Sequence, residues 1–326
     1  MVSQSLNPPK GNLTLIFTSD CNRSCEYCFQ YVKKSLTMSK LDFMLFVNWC
    51  KKQNVEGISL AGGEPTLHPD FQNFVRLLCE SNFKVSLFTN LLCFRERVDT
   101  LFLKGVVSIL VNTDSPESYM SGQHDLFVSN LEYLSKVKER VSLGLTLRSP
   151  EQRADHILDY CKRFGFSKMR IDVARPALTK CNTHVKLSEI KKYRVGILDI
   201  IKAADDIGVK VHFDCPLPKC LFPDEDVREF DLNSRGYSDV TCGVLNVNPD
   251  LTVGICPYFM LIDKKITAFN SYDELLYEIN DHQTVKSLLS CYSSEECIEC
   301  EKRKSGKCDG YCLADRTVSG ADQQKL

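Results

Sequence analysis

LTLIFTSDCNRSCEYC, residues Leu13–Cys28, is the stretch on which the fold turns. Its first part, LTLIFT (Leu13–Thr18), is apolar and rich in strand-forming side chains, which predicts a buried β-strand. The polar segment that follows carries Cys21, Cys25 and Cys28 in the spacing C-x3-C-x2-C. The three thiols therefore leave the C-terminal end of a strand together. In sheets built from alternating strands and helices, the loops at that end are where function collects.

Working outward, the alternation continues for about two hundred residues. KLDFMLFVNWCKKQ (Lys40–Gln53) has helical periodicity, with Ser39 as its N-cap, and GISLA (Gly57–Ala61) reads as the second strand. A helix around Asp70–Ser81 leads to KVSLFT (Lys84–Thr89), and VVSILVN (Val106–Asn112) precedes a helix near Asp125–Arg140. VSLGLTL (Val141–Leu147), a helix near Gln152–Phe164, KMRIDV (Lys168–Val173) and a helix near Ser188–Ile207 complete six βα units. Such units imply parallel strands joined by right-handed crossovers. Six are too few for a closed eightfold barrel, so the expected fold class is α/β, an open partial (βα)6 barrel. Past residue 213 the alternation stops, leaving short strands at LNV (Leu245–Val247) and TVGIC (Thr252–Cys256), a helix near Tyr272–Leu289 and a Cys-rich end. The expected organisation is an N-terminal extension (1–12), the barrel (13–210), a small Cys-rich α+β unit (211–316) and a disordered tail (317–326).

The 326 residues are 43% hydrophobic and 25% charged with a net charge of −1, enough apolar content for a full core and no global basic field for nucleic acid. MVSQSLNPPKGN lacks the apolar core of a secretion signal, and GVVSILV (Gly105–Val111) is strand-sized, not membrane-sized. A cytoplasmic protein with no membrane partner is expected. In that setting 17 cysteines, an odd count, point to metal ligation or redox chemistry and not to disulfides. Cys50, Cys79, Cys93 and Cys161, set in apolar patterns, read instead as small buried hydrophobes.

Three thiolates within eight residues can cap three irons of a cubane and leave the fourth iron free for a ligand. Structural zinc needs a fourth donor close by, and none completes the set. The second strand ends in AGGEPTLHPDF, which places Gly62, Gly63 and Glu64 at the next mouth loop, where glycines let backbone approach a ligand. Read alone, GGEP is equally a turn with a helix-capping Glu. Together, the triple with Tyr27 before its third Cys and the GGE resemble the radical S-adenosylmethionine (radical SAM) superfamily over roughly residues 1–210. The resemblance implies a [4Fe–4S] cluster on Cys21, Cys25 and Cys28, S-adenosylmethionine on its open iron, and Gly62, Gly63 and Glu64 near the methionine amino group. It implies reductive cleavage of S-adenosylmethionine to a 5′-deoxyadenosyl radical that abstracts hydrogen from substrate, with a flavodoxin- or ferredoxin-type protein as reductant. It also makes Thr89 and Asn90 candidate cofactor contacts, Asn112 and Asp114 candidates for the ribose hydroxyls, and Arg148 for the carboxylate. Each of these is also an ordinary loop-capping polar residue.

CIECEKRKSGKCDGYC adds Cys297, Cys300, Cys308 and Cys312, and upstream lie Cys242 and Cys256. By spacing alone a zinc ribbon fits as well as an iron–sulfur site. Beside the first cluster, the segment resembles the SPASM/twitch type of C-terminal extension, which holds one or two auxiliary [4Fe–4S] clusters. It departs from that pattern: Leu251 stands where a turn glycine is usual, the second gap is seven residues, and the chain ends before a last Cys. Matching motif to motif assigns Cys242, Cys256 and Cys312 to one cluster with Cys220 as its fourth ligand. Cys297, Cys300 and Cys308 go to the other, with Cys291 or an open position completing it. Cys181 and Cys215 remain, as spare buried thiols or hydrogen-atom donors.

Such extensions imply modification of a ribosomally made peptide or a protein side chain by cross-linking, epimerisation or oxidation. The early start of the barrel, by residue 13, leads us to expect no fused leader-binding domain. The alternatives are dehydrogenation or rearrangement of a small molecule such as a sugar or nucleotide, and a non-catalytic iron–sulfur or zinc protein of electron transfer or assembly. An electron carrier has no use for an open iron, which favours the enzymatic readings.

Overall fold

A parallel strand pair needs a crossover of a dozen residues or more, and the spacing of apolar segments supplies one each time. The computed structural model describes residues 11–28, 36–177, 181–237, 244–256, 259–290, 295–308 and 312–319. The chain runs β1 (Asn12–Ile16), α1 (Lys40–Lys52), β2 (Gly57–Ala61), α2 (Phe71–Glu80), β3 (Lys84–Thr89), α3 (Arg95–Asp99) and β4 (Val106–Asn112). It continues α4 (Gln123–Leu134), β5 (Val141–Leu147), α5 (Asp155–Phe164), β6 (Lys168–Val173), α6 (Tyr193–Asp205) and β7 (Lys210–Phe213). β1 to β7 lie side by side in chain order, each parallel to the next. The six βα units are therefore present, in an open α/β sheet. A seventh strand follows them, KVHF, whose four residues are too few to show a period.

The last part of the chain does not build a sheet of its own. After α7 (Asp224–Glu229) come β8 (Leu245–Val247), β9 (Thr252–Ile255) and β10 (Phe259–Lys265). β8 pairs in parallel with β1, Thr14 opposite Asn246, and β9 and β10 follow antiparallel, giving one ten-stranded sheet. The expected boundary near residue 210 thus falls at the start of β7, inside a continuous sheet. The helix expected over Tyr272–Leu289 is two, α8 (Tyr272–Asp281) and α9 (Gln283–Ser290), because His282 between them is extended (ψ 130°). α10 (Glu301–Lys304) and α11 (Leu313–Ser319) end the described chain, and α11 runs three residues into the expected tail.

The core sits between sheet and helices. α1 is capped by Ser39, whose hydroxyl accepts from the Asp42 amide (3.0 Å), and buries Phe43, Phe46, Val47 and Cys50 at helical spacing. Phe43 stacks on Phe74, and Phe17 meets both edge-on, each full burial contributing about 1.5–3 kcal/mol. The same helix carries the extension: Trp49 Nε1 donates to the Phe269 carbonyl (2.8 Å) and Gln53 Nε2 to that of Asn270 (3.0 Å). Among the described residues no helix is long and apolar enough to cross a membrane.

Candidate active site

The loops after β1 and β2 are packed backbone to backbone, and the two glycines are the reason. A Cβ on Gly63 would lie 2.2 Å from the Asp20 carbonyl oxygen, and one on Gly62, at φ +138°, 2.4 Å from that of Thr18. In the gap so left, the Gly63 amide donates to Thr18 O (2.9 Å) and the Glu64 amide to Asp20 O (2.8 Å). The cysteine loop is thereby fixed to the end of β2.

Glu64 is 1% exposed, and its carboxylate works inward. It accepts from Thr66 Oγ1 (2.6 Å) and N (3.1 Å), from Thr89 Oγ1 (2.8 Å) and from the Asn90 amide (2.6 Å). Burial raises its pKa against those hydrogen bonds. The effect is to fix the end of β3, and from there the Asn90 side chain reaches the cysteine loop. Its Nδ2 donates to Asn22 Oδ1 (2.9 Å) and lies 3.8 Å from Cys21 Sγ.

On the other side, Tyr27 is buried under the mouth. Its hydroxyl donates to the Asp114 carboxylate (2.8 and 2.9 Å to its two oxygens) and accepts from Asn112 Nδ2 (2.8 Å). Arg23 closes this group with a buried ion pair to Asp114 (3.1 Å) and lies 4.3 Å from the centre of the Tyr119 ring. Arg148, at the end of β5, lies over the Tyr27 ring and pairs with Glu26 (3.2 Å). Asn182, from the loop after β6, donates to the Tyr27 carbonyl (3.1 Å), which puts its exposed neighbour Cys181 beside the cysteine loop. Strands β2 to β6 thus each contribute a group that orients residues 21–28.

Cys21 is exposed and Cys25 and Cys28 are partly so. Burial pushes the Cys21 thiol up to about 11, with Glu64, Cys25 and Cys28 adding to it, so the three sulfurs are within electrostatic reach of one another. Burial also raises Cys25, Asp114 adding and Arg23 opposing. Among the described residues no three of His, Cys, Asp or Glu are drawn together to share a single ion. A cubane asks for something else, since each thiolate binds its own iron. Next to this loop a cavity of about 600 Å³ opens, lined by Glu26, Glu117, Arg148, Gln152 and His156 among others. His156 Nε2 is buried without a hydrogen-bond partner among the described residues.

In the extension the thiols fall into two neighbourhoods. Cys220, on the loop after β7, is close enough to Cys297 and Cys308 for both to raise its pKa, burial being the larger cause, and it lines one cavity with Cys300. Cys215 is instead a neighbour of Cys256, and both Cys215 and Cys312 act on Arg175. Motif matching had grouped Cys220 instead with Cys242, Cys256 and Cys312. Cys242 and Cys291 lie outside the described residues. Of the thiols read as core, Cys50, Cys93 and Cys161 are buried, and Cys79 packs partly buried against Gly105.

Sequence reasoning passed over Arg23, Thr66, Asn182 and His156. Arg23 was visible inside the C-x3-C spacer and Thr66 two residues beyond Glu64, each a polar residue in a motif already singled out. Asn182 and His156 had no local signal.

Comparison with known proteins agrees with this geometry. Residues 15–175 match the family model described as the Radical SAM superfamily. An S-adenosylmethionine-dependent nucleotide dehydratase of Thermoplasmatales archaeon (strain ISO4-H5) is 37% identical over 70 residues, 22% of this chain and 25% of the relative. A GTP 3′,8-cyclase of Sulfurovum sp. (strain NBC37-1) is 27% identical over 145 residues, 41% of this chain and 44% of the relative. The chain thus spans between a quarter and a half of these curated relatives. Among solved structures, Streptococcus suis SuiB bound to S-adenosylmethionine superposes with a TM-score of 0.70 at 15% identity, covering 95% of this chain and 74% of that one. anSMEcpe with bound AdoMet gives 0.67 at 19% identity, covering 94% and 95%. Structures of SuiB with the precursor peptide SuiA and of anSMEcpe with the peptide Cp18Cys are similar to the same extent. At these identities the likeness is one of fold.

Proposed function

Since residues 15–175 place this chain in the radical SAM superfamily, we propose that it is an enzyme acting on a side chain of a ribosomally made peptide or a protein, by cross-linking, epimerisation or oxidation. The cofactors are an iron–sulfur cluster and S-adenosylmethionine, and the residues at the mouth suit them: three clustered thiols on a loop fixed from five strands, beside a cavity of about 600 Å³. When bound, this pair supplies a reductively generated carbon radical able to take a hydrogen atom from substrate. Cys21, Cys25 and Cys28 would hold the cluster, and loading would release their protons, since the thiolate is the ligand. Glu64 positions Thr89 and Asn90, and Asn90 in turn lies against Cys21. Asn112 and Asp114 hold Tyr27, and Arg148 stands over its ring at the cavity wall. We read 13–210 as the barrel and 211–316 as the extension with its auxiliary sites. An external flavodoxin- or ferredoxin-type protein is the proposed reductant.

The observation that carries the peptide reading is the reach of the structural likeness. It runs through the Cys-rich extension over 94% or more of the chain, to two proteins whose structures include peptides. The nucleotide-acting relatives favour a second reading, a nucleotide substrate, but match only part of the chain. Protein reconstituted anaerobically with iron and sulfide, then given dithionite and S-adenosylmethionine, is expected to release 5′-deoxyadenosine, and Cys21→Ala to reduce that to background. Candidate precursor peptides encoded nearby are then read for mass changes. Consumption of a nucleoside triphosphate with every peptide unchanged would replace the first reading by the second.

A further inference from the structure

A cubane has four irons, and a site that only stores or passes electrons is saturated by four protein ligands. Cys297, Cys300 and Cys308 are placed to supply three. The fold brings another from 77 residues upstream of Cys297. Cys220 is exposed on the loop after β7, between Lys219 and the buried pair Leu221 and Phe222, which are 2% and 1% exposed and hold that loop in place. The Leu221 amide donates to Pro218 O (2.9 Å), and Tyr237 donates to the same carbonyl (3.0 Å). α10, which begins directly after Cys300, is tied to this loop by Lys302 Nζ donating to Lys219 O (3.0 Å). Inside the same helical turn, Arg303 Nη1 donates to Cys308 O (3.3 Å), drawing the third cysteine back toward the first two. A cavity of about 550 Å³ lies between the two segments, lined by Cys220 and Cys300 together with Lys191, Arg194, Glu301 and Lys302, Arg194 being paired with Asp226. Four thiolates around an iron–sulfur core leave a net negative charge, which Lys191 and Lys302 oppose there.

We propose that Cys220, Cys297, Cys300 and Cys308 together ligate one iron–sulfur cluster. The corollary is that Cys215 and Cys312 share the other auxiliary site, in the position motif matching had assigned to Cys220: Arg175 donates to the carbonyl of Pro216, next to Cys215 (2.9 Å), and pairs with Asp315 (3.5 Å), whose amide donates to Cys312 O (3.2 Å). A cluster held in this way has no open iron and serves electron transfer or structure, not substrate binding. The loop after β7 becomes a clasp between the barrel sheet and the Cys-rich end. This inference rests on the reading that the extension binds iron–sulfur clusters, and it is independent of what the mouth acts on.

The test removes the mouth cluster first, in a full-length background with Cys21, Cys25 and Cys28 all replaced by Ala, so that remaining iron and EPR signals belong to the extension. Adding Cys220→Ser is expected to lower iron by up to about four atoms per chain or to convert one cluster to a three-iron form. The double variant Cys220→Ser/Cys308→Ser is expected to lose no more than either single, whereas Cys220→Ser/Cys256→Ser is expected to lose both clusters. Circular dichroism checks that each variant is folded. Independently of any variant, iodoacetamide labelling of iron-loaded protein, read by mass spectrometry, is expected to protect Cys220 together with Cys297. The assignment is overturned if Cys220 alkylates freely while Cys297 is protected. It is equally overturned if Cys220→Ser couples with Cys256→Ser and not with Cys308→Ser, if Cys291→Ser gives the predicted loss in its stead, or if the bound metal is zinc.

Discussion

Gly63 shows what a single hydrogen atom in place of a methyl group does for this site. Its side of the chain lies against the Asp20 and Ser19 backbone, with a Cβ placed 2.2 Å from one carbonyl oxygen and 2.6 Å from the other. Backbone cannot swing aside as a side chain can, so Gly63→Ala must push the cysteine loop off the end of β2. We expect a loss of about 1–3 kcal/mol, read as a lower Tm, together with reduced iron in the first cluster and weaker S-adenosylmethionine binding. Gly208→Ala is the control: its φ of +73° is strained for alanine, but open space surrounds it, so a loss of about 1 kcal/mol with unchanged iron is expected. Equal iron loss in both variants would show that the close approach at Gly63 does not position the loop. At this scale the sequence was informative where motif and role are local, as in Cys21, Cys25, Cys28 and the paired glycines. It offered Glu64 as a mouth-loop or helix-capping residue, and the carboxylate does accept from the Thr66 amide, but it was silent about the partners Thr89 and Asn90, separated from it by a whole helix and strand. No spacing rule exposes a carboxylate that turns inward.

The turn between β8 and β9 illustrates an element that departs from expectation and holds nonetheless. Leu251 occupies it at φ +70°, a conformation glycine adopts freely and leucine at a cost of about 1–2 kcal/mol. Its side chain is fully buried, its amide donates to Asn248 O (2.9 Å), and its carbonyl accepts from the Ile266 amide (2.8 Å), which joins the turn to the end of β10. Burial of a leucine outweighs the strain, because removing one from a core costs about 2–5 kcal/mol. Leu251→Gly is therefore expected to lower stability by about 1–3 kcal/mol even though it relieves the backbone, and a raised Tm would refute that order of effects. The long helices and six parallel strands were legible because each is a periodic run between turn residues. β7 and β10 were not: one has four residues, and the other begins in a continuous apolar run, FMLI, that shows no alternation. The break at His282 has no proline or glycine to announce it.

For the molecule as a whole, the decisive pairing joins β1 to β8, more than two hundred residues away, and three-residue β8 carries nothing in its sequence to name its neighbour. That pairing folds the extension back along the sheet, so contacts between it and the barrel follow topology and not sequence spacing. Arg175 holds the same seam: it is fully buried, pairs with Asp172 (3.3 Å) and Asp315 (3.5 Å), and donates to the Pro216 carbonyl (2.9 Å). β6, the loop after β7 and α11 meet on this one guanidinium. Burial pushes the Asp315 carboxyl up to about 8, Cys312 adding and Arg175 opposing, whereas in the unfolded chain it titrates near its ordinary value of about 4. The folded chain thus holds a proton that the unfolded chain has lost. The stability this gives is complete below about pH 4 and is lost as pH rises through about 8. The Tm of the wild-type chain is accordingly expected to fall more between about pH 6 and pH 9 than that of Asp315→Asn, which cannot ionise. A steeper fall in the Asn variant would mean that the ionised carboxylate, paired with Arg175, is the form that closes the seam. Arg175→Met separates the two cases further, since it strands Asp172 without its cation in both, and Asp315 only where that carboxyl is ionised. A loss of about 3–5 kcal/mol that adding Asp315→Leu leaves largely unchanged is expected for the protonated carboxyl, whereas a loss largely restored by Asp315→Leu would show the ionised pair to be the tie between barrel and extension.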